Sequence, residues 1–306
     1  MLLEKLDRLS SEILLDSLLG HPAYAAWTRR LESKRGRGRG DYPISSLAES
    51  LFRILSGKLP SFLSLPTPRP SPFSFSRFLA SVRGDLDLLL SEMAQPGPIA
   101  AVGTCAPNAL FLYDADTGLP FAWEEGGDFL RMLEALPPKT VRFLLGGPEL
   151  APFAADLWNR FSIRPIIPLP AEFKETFSYK GHRYDERGEV FCPGGTMMYG
   201  GFEEKRNALK YLCPARHYGI RCKDWDACPL KKNLRIPLEA NPAILTPLPR
   251  FSQKWQRLYA LYESRSGVEA ILKNRVPSCG NQLVYLRAAS VLFAAAFTQL
   301  FSGRRK

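Results

Sequence analysis

The chain reads as an α/β protein: a mixed sheet with flanking helices, an N-terminal helical region ahead of it and a cysteine-rich insertion within it. Three observations lead there. Apolar residues recur at helical spacing up to about residue 95, and from Pro98 they gather instead into short runs of strand length. The order after Pro98 is strand, strand, strand, helix, strand, helix, strand, which builds a sheet with helices packed on it. Helical spacing then returns only beyond residue 250. The regions expected are 1–95, 96–170, 171–249 and 250–306.

In the first region the spacing predicts a helix near 2–19, with Leu2, Leu3, Leu6, Leu9 and Ile13 on one side. Others follow around 22–33, 44–56 and 73–94, the last set off by prolines 66, 68, 70 and 72. Ile99–Gly103, Ala109–Asp114 and Leu119–Trp123 read as antiparallel strands. The second and third are joined at Asp114-Ala115-Asp116-Thr117-Gly118, where Asp and Gly favour a hairpin turn. A helix from about Asp128 to Leu136, strand Val141–Leu145, helix Pro152–Phe161 and strand Pro165–Leu169 complete the sheet, and helices near 252–274 and 281–302 follow the insertion.

Composition narrows the functional classes. With 45% hydrophobic residues, the 306-residue chain can bury a substantial core. Forty-one Lys and Arg against 30 Asp and Glu leave a net charge of +11, which favours a polyanionic partner. The N-terminus mixes acids and bases at helical intervals, unlike a secretory signal. Arg287 interrupts the apolar run 283–301, so a buried core helix fits better than a membrane span. No phosphate-cradling G-x-x-x-x-G-K-[ST] loop occurs, and three scattered histidines give no Ser-His-Asp signature.

The segment Lys254–Lys273 carries the sharpest pattern. Read as one helix, it repeats Trp255, Tyr262 and Glu269 every seven residues, with Tyr259, Ser266 and Lys273 on the same face. An acid on an aromatic stripe points inward or lines a cleft. Equally, Glu269 stands four residues before Lys273, the favoured order for a surface ion pair.

The order Tyr262-x-x-Arg265-x-x-Val268-Glu269, with Lys273 a turn later, resembles the last catalytic motif of bacterial insertion-sequence transposases of the DDE type. Collinear segments resemble the same family: RGRGRGDYP at 35–43, PSPFSFSRFL at 70–79, YDADTGLPFAW at 113–123, WNRFSIRPIIPL at 158–169, LKYLCP at 209–214 and PLPRFSQKW at 247–255. The resemblance implies an RNase-H-like fold in which two Asp and one Glu hold two Mg²⁺ ions for in-line phosphoryl displacement. It implies Glu269 as the retained acid, Arg265 as its support, and Val102 and Gly146 at the positions where the family has Asp. With two of three acids missing, transposase activity is expected to be impaired, which leaves a non-catalytic DNA-binding protein as the alternative. DNA is the implied partner, a homodimer is an option, no membrane is involved, and the location is the cytoplasm of a bacterium, at its nucleoid.

Two basic clusters suit phosphate contacts: Arg29, Arg30, Lys34, Arg35, Arg37 and Arg39, then, in the insertion, Lys205, Arg206, Lys210, Arg216, Arg221, Lys223, Lys231, Lys232 and Arg235. The first is also readable as a solvated linker. Of six cysteines, Cys192, Cys213, Cys222 and Cys228 fall in the insertion. They read as a four-thiolate Zn²⁺ site or as unliganded thiols, since no C-x₂-C pair is present.

Overall fold

Helices occupy most of the first ninety residues, and caps decide where they begin. A computed structural model describes residues 2–35, 42–57, 70–106, 109–171, 173, 177–226, 228, 231–265, 267–274 and 282–301. Two units emerge, one of Met1–Thr140 with Ser264–Lys306, the other of Val141–Glu263. In the first, α1 (Leu2–Asp7) and α2 (Ser11–Leu19) replace the single helix expected over 2–19. The Ser10 hydroxyl accepts from Ile13 N at 3.3 Å, and this N-cap restarts the helix in a new phase. Leu3, Leu6, Leu14, Leu15 and Leu18 are therefore buried, while Ile13, expected on the apolar side, is 43% exposed.

Helices α3 (Pro22–Lys34) and α4 (Ile44–Leu55) follow. The helix expected over 73–94 is two, α5 (Pro72–Ser81) and α6 (Arg83–Met93), parted at Val82 just ahead of Gly84, a poor helix former. Strands β1 (Ile99–Ala106), β2 (Ala109–Asp114) and β3 (Pro120–Glu125) then form an antiparallel meander, followed by α7 (Phe129–Glu134). Gly103 stands opposite Phe111, whose ring stacks on Trp123 at 5.0 Å; a Cβ on Gly103 would lie 2.3 Å from that ring.

The second unit opens with β4 (Phe143–Leu145). A 3₁₀ turn at Pro148–Phe153 and α8 (Ala154–Phe161) lead to β5 (Arg164–Ile166), which pairs parallel to β4, as a crossover connection permits. Strands β6 (Phe177–Tyr179), β7 (His182–Tyr184), β8 (Val190–Cys192) and β9 (Gly195–Thr196) make a four-stranded antiparallel sheet. A three-stranded one comprises β10 (Met198–Glu203), β11 (Ala208–Leu212) and β12 (Leu234–Pro237), with α9 (Pro214–Tyr218) between the last two. Tyr184, Val190, Leu209, Tyr211, Leu234 and Ile236 form one buried cluster. The Tyr211 hydroxyl donates to Gly188 O at 2.7 Å, so the ring fills the core with its polar end satisfied.

The helix expected across 252–274 is also divided, into α10 (Gln253–Glu263) and α11 (Val268–Asn274). The break coincides with the boundary between units, and Gly267 lies within it. The seven-residue stripe is thereby cut between Tyr262 and Glu269. Last comes α12 (Gln282–Phe301), packed against α2, α4 and α6 and buried almost throughout from Val284 to Phe297. Among the described residues it alone is long and apolar enough to cross a membrane, and 78% of its most apolar window is buried inside the protein. Its one charge, Arg287, is paired: Nε donates to Asp87 Oδ1 at 2.7 Å and Nη1 to Glu125. The chain is thus α/β, with antiparallel and parallel strand pairs and many helices.

Candidate functional site

Glu269 sits in the first turn of α11, and its carboxylate reaches β1. Oε1 accepts from Thr104 N at 2.8 Å and lies 3.5 Å from Thr104 Oγ1. Lys273 Nζ stands 4.0 Å from Oε2, so the surface-pair reading holds as a loose contact beside a tighter inward one. Val102 is two residues before Thr104 on the same strand and so faces the same way, about 7 Å along it. It is apolar and 6% exposed. Cys105 lies close by; burial, and then the Glu269 charge, push its thiol up to about 12.

The acid on the adjacent strand is committed elsewhere. Asp114 is buried, and its Oδ1 accepts from Asp116 N at 3.1 Å, Thr117 N at 2.7 Å and Thr117 Oγ1 at 2.8 Å. Its Oδ2 accepts from Gly97 N. This carboxylate builds the β2–β3 turn, and it pairs with Ala100, four residues from Thr104, or roughly 13 Å along the strand. Arg265 serves the same turn: Nε donates to Ala115 O at 2.9 Å and Nη2 to Asp116 O at 3.0 Å. Its described bonds thus go to backbone carbonyls rather than to Glu269.

Gly146 follows β4 in the other unit, and its N donates to Ile166 O at 3.3 Å. A Cβ there would lie 2.4 Å from Leu150 Cδ1, so a side chain at this position requires Leu150 to turn away. Two Mg²⁺ ions need several hard oxygen ligands. The residues at 102 and 146 supply none, and the Asp114 oxygens accept bonds within their own turn. Among the described residues no group of three or more His, Cys, Asp or Glu is arranged to hold a metal ion.

The first basic cluster is largely engaged within its own unit. Arg30 Nη1 pairs with Glu92 at 2.8 Å and Lys34 Nζ with Asp85 at 2.6 Å, tying α3 to α6. Arg35 donates to Tyr42 O and stands 3.6 Å from Glu32; Arg29 Nε donates to Ala25 O at 3.2 Å. Arg37 and Arg39 lie outside the described residues. In the second cluster Glu203 gathers Arg206 and Lys210, each at 3.8 Å, and Arg235 at 2.8 Å, leaving Lys205 exposed.

One surface of the insertion carries more than the cations of the second cluster. Tyr218, Ile220 and Trp225 are 60%, 57% and 39% exposed, interleaved with exposed Arg216, Arg221, Lys223, Lys231 and Lys232. Its cations are legible as a basic cluster, and three large apolar side chains in a stretch without regular apolar spacing are the sequence signal for its exposed rings.

Cys192 ends β8, Cys213 precedes α9, and Cys222 and Cys228 lie in the loop before β12; all four are half-buried free thiols. Cys279 lies outside the described residues. His21 caps α3 by accepting from Ala23 N, and His182 contacts Lys180 O, both structural roles. No protein-family model matches the sequence, and no curated protein or solved structure matches it significantly.

Proposed function

We propose that this chain descends from insertion-sequence transposases of the DDE type, with an RNase-H-like fold, and acts on DNA by binding it, its strand-cleaving centre being impaired. The observation that carries the reading is Glu269, drawn from α11 onto β1 at Thr104, two residues from the apolar Val102. That is the relation the transposase resemblance requires between its last acid and its first strand. Along the chain, the order β1-β2-β3-α7-β4-α8-β5 agrees with the same fold.

The alternative, a DNA-binding protein with no strand chemistry at all, draws support from the surface around α9. Cations there can neutralise phosphates, while Tyr218 and Trp225 offer faces on which unpaired bases stack. Both readings predict binding without strand cleavage and differ in whether Glu269 is the remnant of a cleaving centre.

The test is a pair of assays on the full chain. Fluorescence anisotropy with labelled duplex and single-stranded DNA should show binding that weakens steeply as salt rises. Incubation of supercoiled plasmid with Mn²⁺ or Mg²⁺ should give no more nicking than the Glu269→Ala variant. Absence of binding to either DNA at low salt removes the proposal; Glu269-dependent nicking removes the impairment.

A further inference from the structure

Contacts of the β8–β9 hairpin, the start of α9 and the loop before β12 draw the four insertion thiols toward one another. Cys192 stands opposite Gly195 in the β8–β9 hairpin, and the Cβ position of Gly194 lies 2.6 Å from Cys222 Sγ. The Cys222 sulfur therefore rests on the turn that adjoins Cys192, where only glycine leaves room. Cys213 N donates to Asn233 Oδ1 at 3.1 Å, tying the start of α9 to the residue before β12. Arg216 Nη1 reaches Lys231 O at 3.4 Å, and Lys231 N donates to Cys228 Sγ at 3.3 Å, which brings the fourth sulfur back beside α9. Cys213, Cys222 and Cys228 all lie within electrostatic reach of Cys192.

We propose that Cys192, Cys213, Cys222 and Cys228 bind one Zn²⁺ ion, which pins the 213–233 loop to the β8–β9 hairpin. The loop needs such a staple. Between α9 and β12 the described residues form turns and bends, and Tyr218, Ile220 and Trp225 face solvent rather than a core. Segments that bury so little apolar surface hold one shape through disulfides or metal. The sulfurs converge without yet standing at ligand spacing, so binding draws them in to about 2.3 Å from the ion. Zn²⁺ displaces the four thiol protons to solvent, and the resulting centre carries a net charge of about −2. Exposed Arg221, Lys223, Lys231 and Lys232 offset that charge.

The full chain, purified in reducing buffer and dialysed against Zn²⁺, should retain one equivalent of zinc. Co²⁺ in its place should give the thiolate charge-transfer and tetrahedral d–d bands of a four-sulfur site. Alkylation mapped by mass spectrometry should slow at these four cysteines by at least about tenfold with zinc bound, with no change at Cys105. Cys222→Ser should lose most of the zinc and Cys105→Ser none. Because a serine variant can fail to fold, the alkylation map of the unaltered chain decides independently. No uptake of Zn²⁺ or Co²⁺, equal alkylation with and without zinc, or disulfides among the four in the purified reduced chain would each overturn the site.

Discussion

At Thr104 two groups make opposite demands on one patch of β1. The Glu269 carboxylate takes the Thr104 N–H, while the Cys105 thiol is held neutral, pushed up to about 12 by burial first and the Glu269 charge second. Thiolate is the reacting form, so at pH 8 Cys105 should alkylate about a thousandfold more slowly than a thiol of ordinary pKa, until the chain is unfolded in urea. Rapid labelling in the native state would mean that the thiol is not sequestered. The sign of the linked stability follows. A raised acid pKa keeps the proton longer in the folded state, so stability is intact below about 9, the thiol's ordinary value, and declines as pH climbs toward 12. Tyr199, also pushed up to about 12 by burial, adds to the loss. Urea midpoints between pH 8 and 11 should fall, and less so in Cys105→Ala. Restoring the acid that the transposase resemblance asks for gives a second check. Val102→Asp places a carboxylate in a buried position on the face that meets Glu269, and should destabilise by about 2–3 kcal/mol. If the two acids are close enough to share a cation, Mn²⁺ should raise the Tm of this variant and leave that of the unaltered protein unchanged. An equal response in both would separate residue 102 from the Glu269 site.

Between elements, the tightest constraint is Gly103 on the Phe111 ring, which is itself stacked on Trp123. Gly103→Ala should cost about 1–3 kcal/mol, because a buried, stacked ring cannot yield without shifting the meander. A urea midpoint within error of the original would show that the stack relaxes freely. The charged seam of α12 is a second constraint. Arg287→Met takes away the ion pair of Asp87, while Glu125 keeps Arg83 at 2.7 Å, and should cost about 1–3 kcal/mol, whereas removing the exposed Lys34–Asp85 contact should cost at most about 1. These two glimpses explain what was legible beforehand. The strand order, the β2–β3 turn and the buried fate of 283–301 follow from local spacing and turn chemistry, and they are where expectation and structure agree. The helix breaks at Ser10, Val82 and 264–267 were missed because apolar spacing runs across them almost unbroken; a cap, a neighbouring glycine and a unit boundary decided them. Glu269 was readable as inward-facing or surface-paired and turned out to be both. What Arg30 and Lys34 do was hidden, since their partners Glu92 and Asp85 lie far along the chain.

Taken whole, the protein carries a net charge of +11, but not every cation is free to meet a polyanion. Arg30 and Lys34 are spent on α6, and Glu203 shares Arg206, Lys210 and Arg235. From Pro214 to Asn233, by contrast, five Lys and Arg face two Asp, a net of 5 − 2 = +3 on a short and largely exposed stretch. If phosphate contacts hold a nucleic acid, the salt dependence of binding should reside there rather than in Arg30 or Lys34. Each lost contact lowers the slope of log K against log salt by about 0.9 on duplex DNA. The double variant Lys223→Gln with Lys232→Gln should therefore reduce the slope by about 1.8 and weaken binding most at low salt, with the urea midpoint unchanged. Lys34→Gln should do the reverse: a slope within error of the original and slightly lower stability, because its ammonium already has a partner. Anisotropy titrations at four or five salt concentrations measure both. A slope that falls with Lys34 and not with the pair in the insertion would move the DNA-binding surface to the N-terminal helices, and the exposed aromatic and basic patch around α9 would then need another partner.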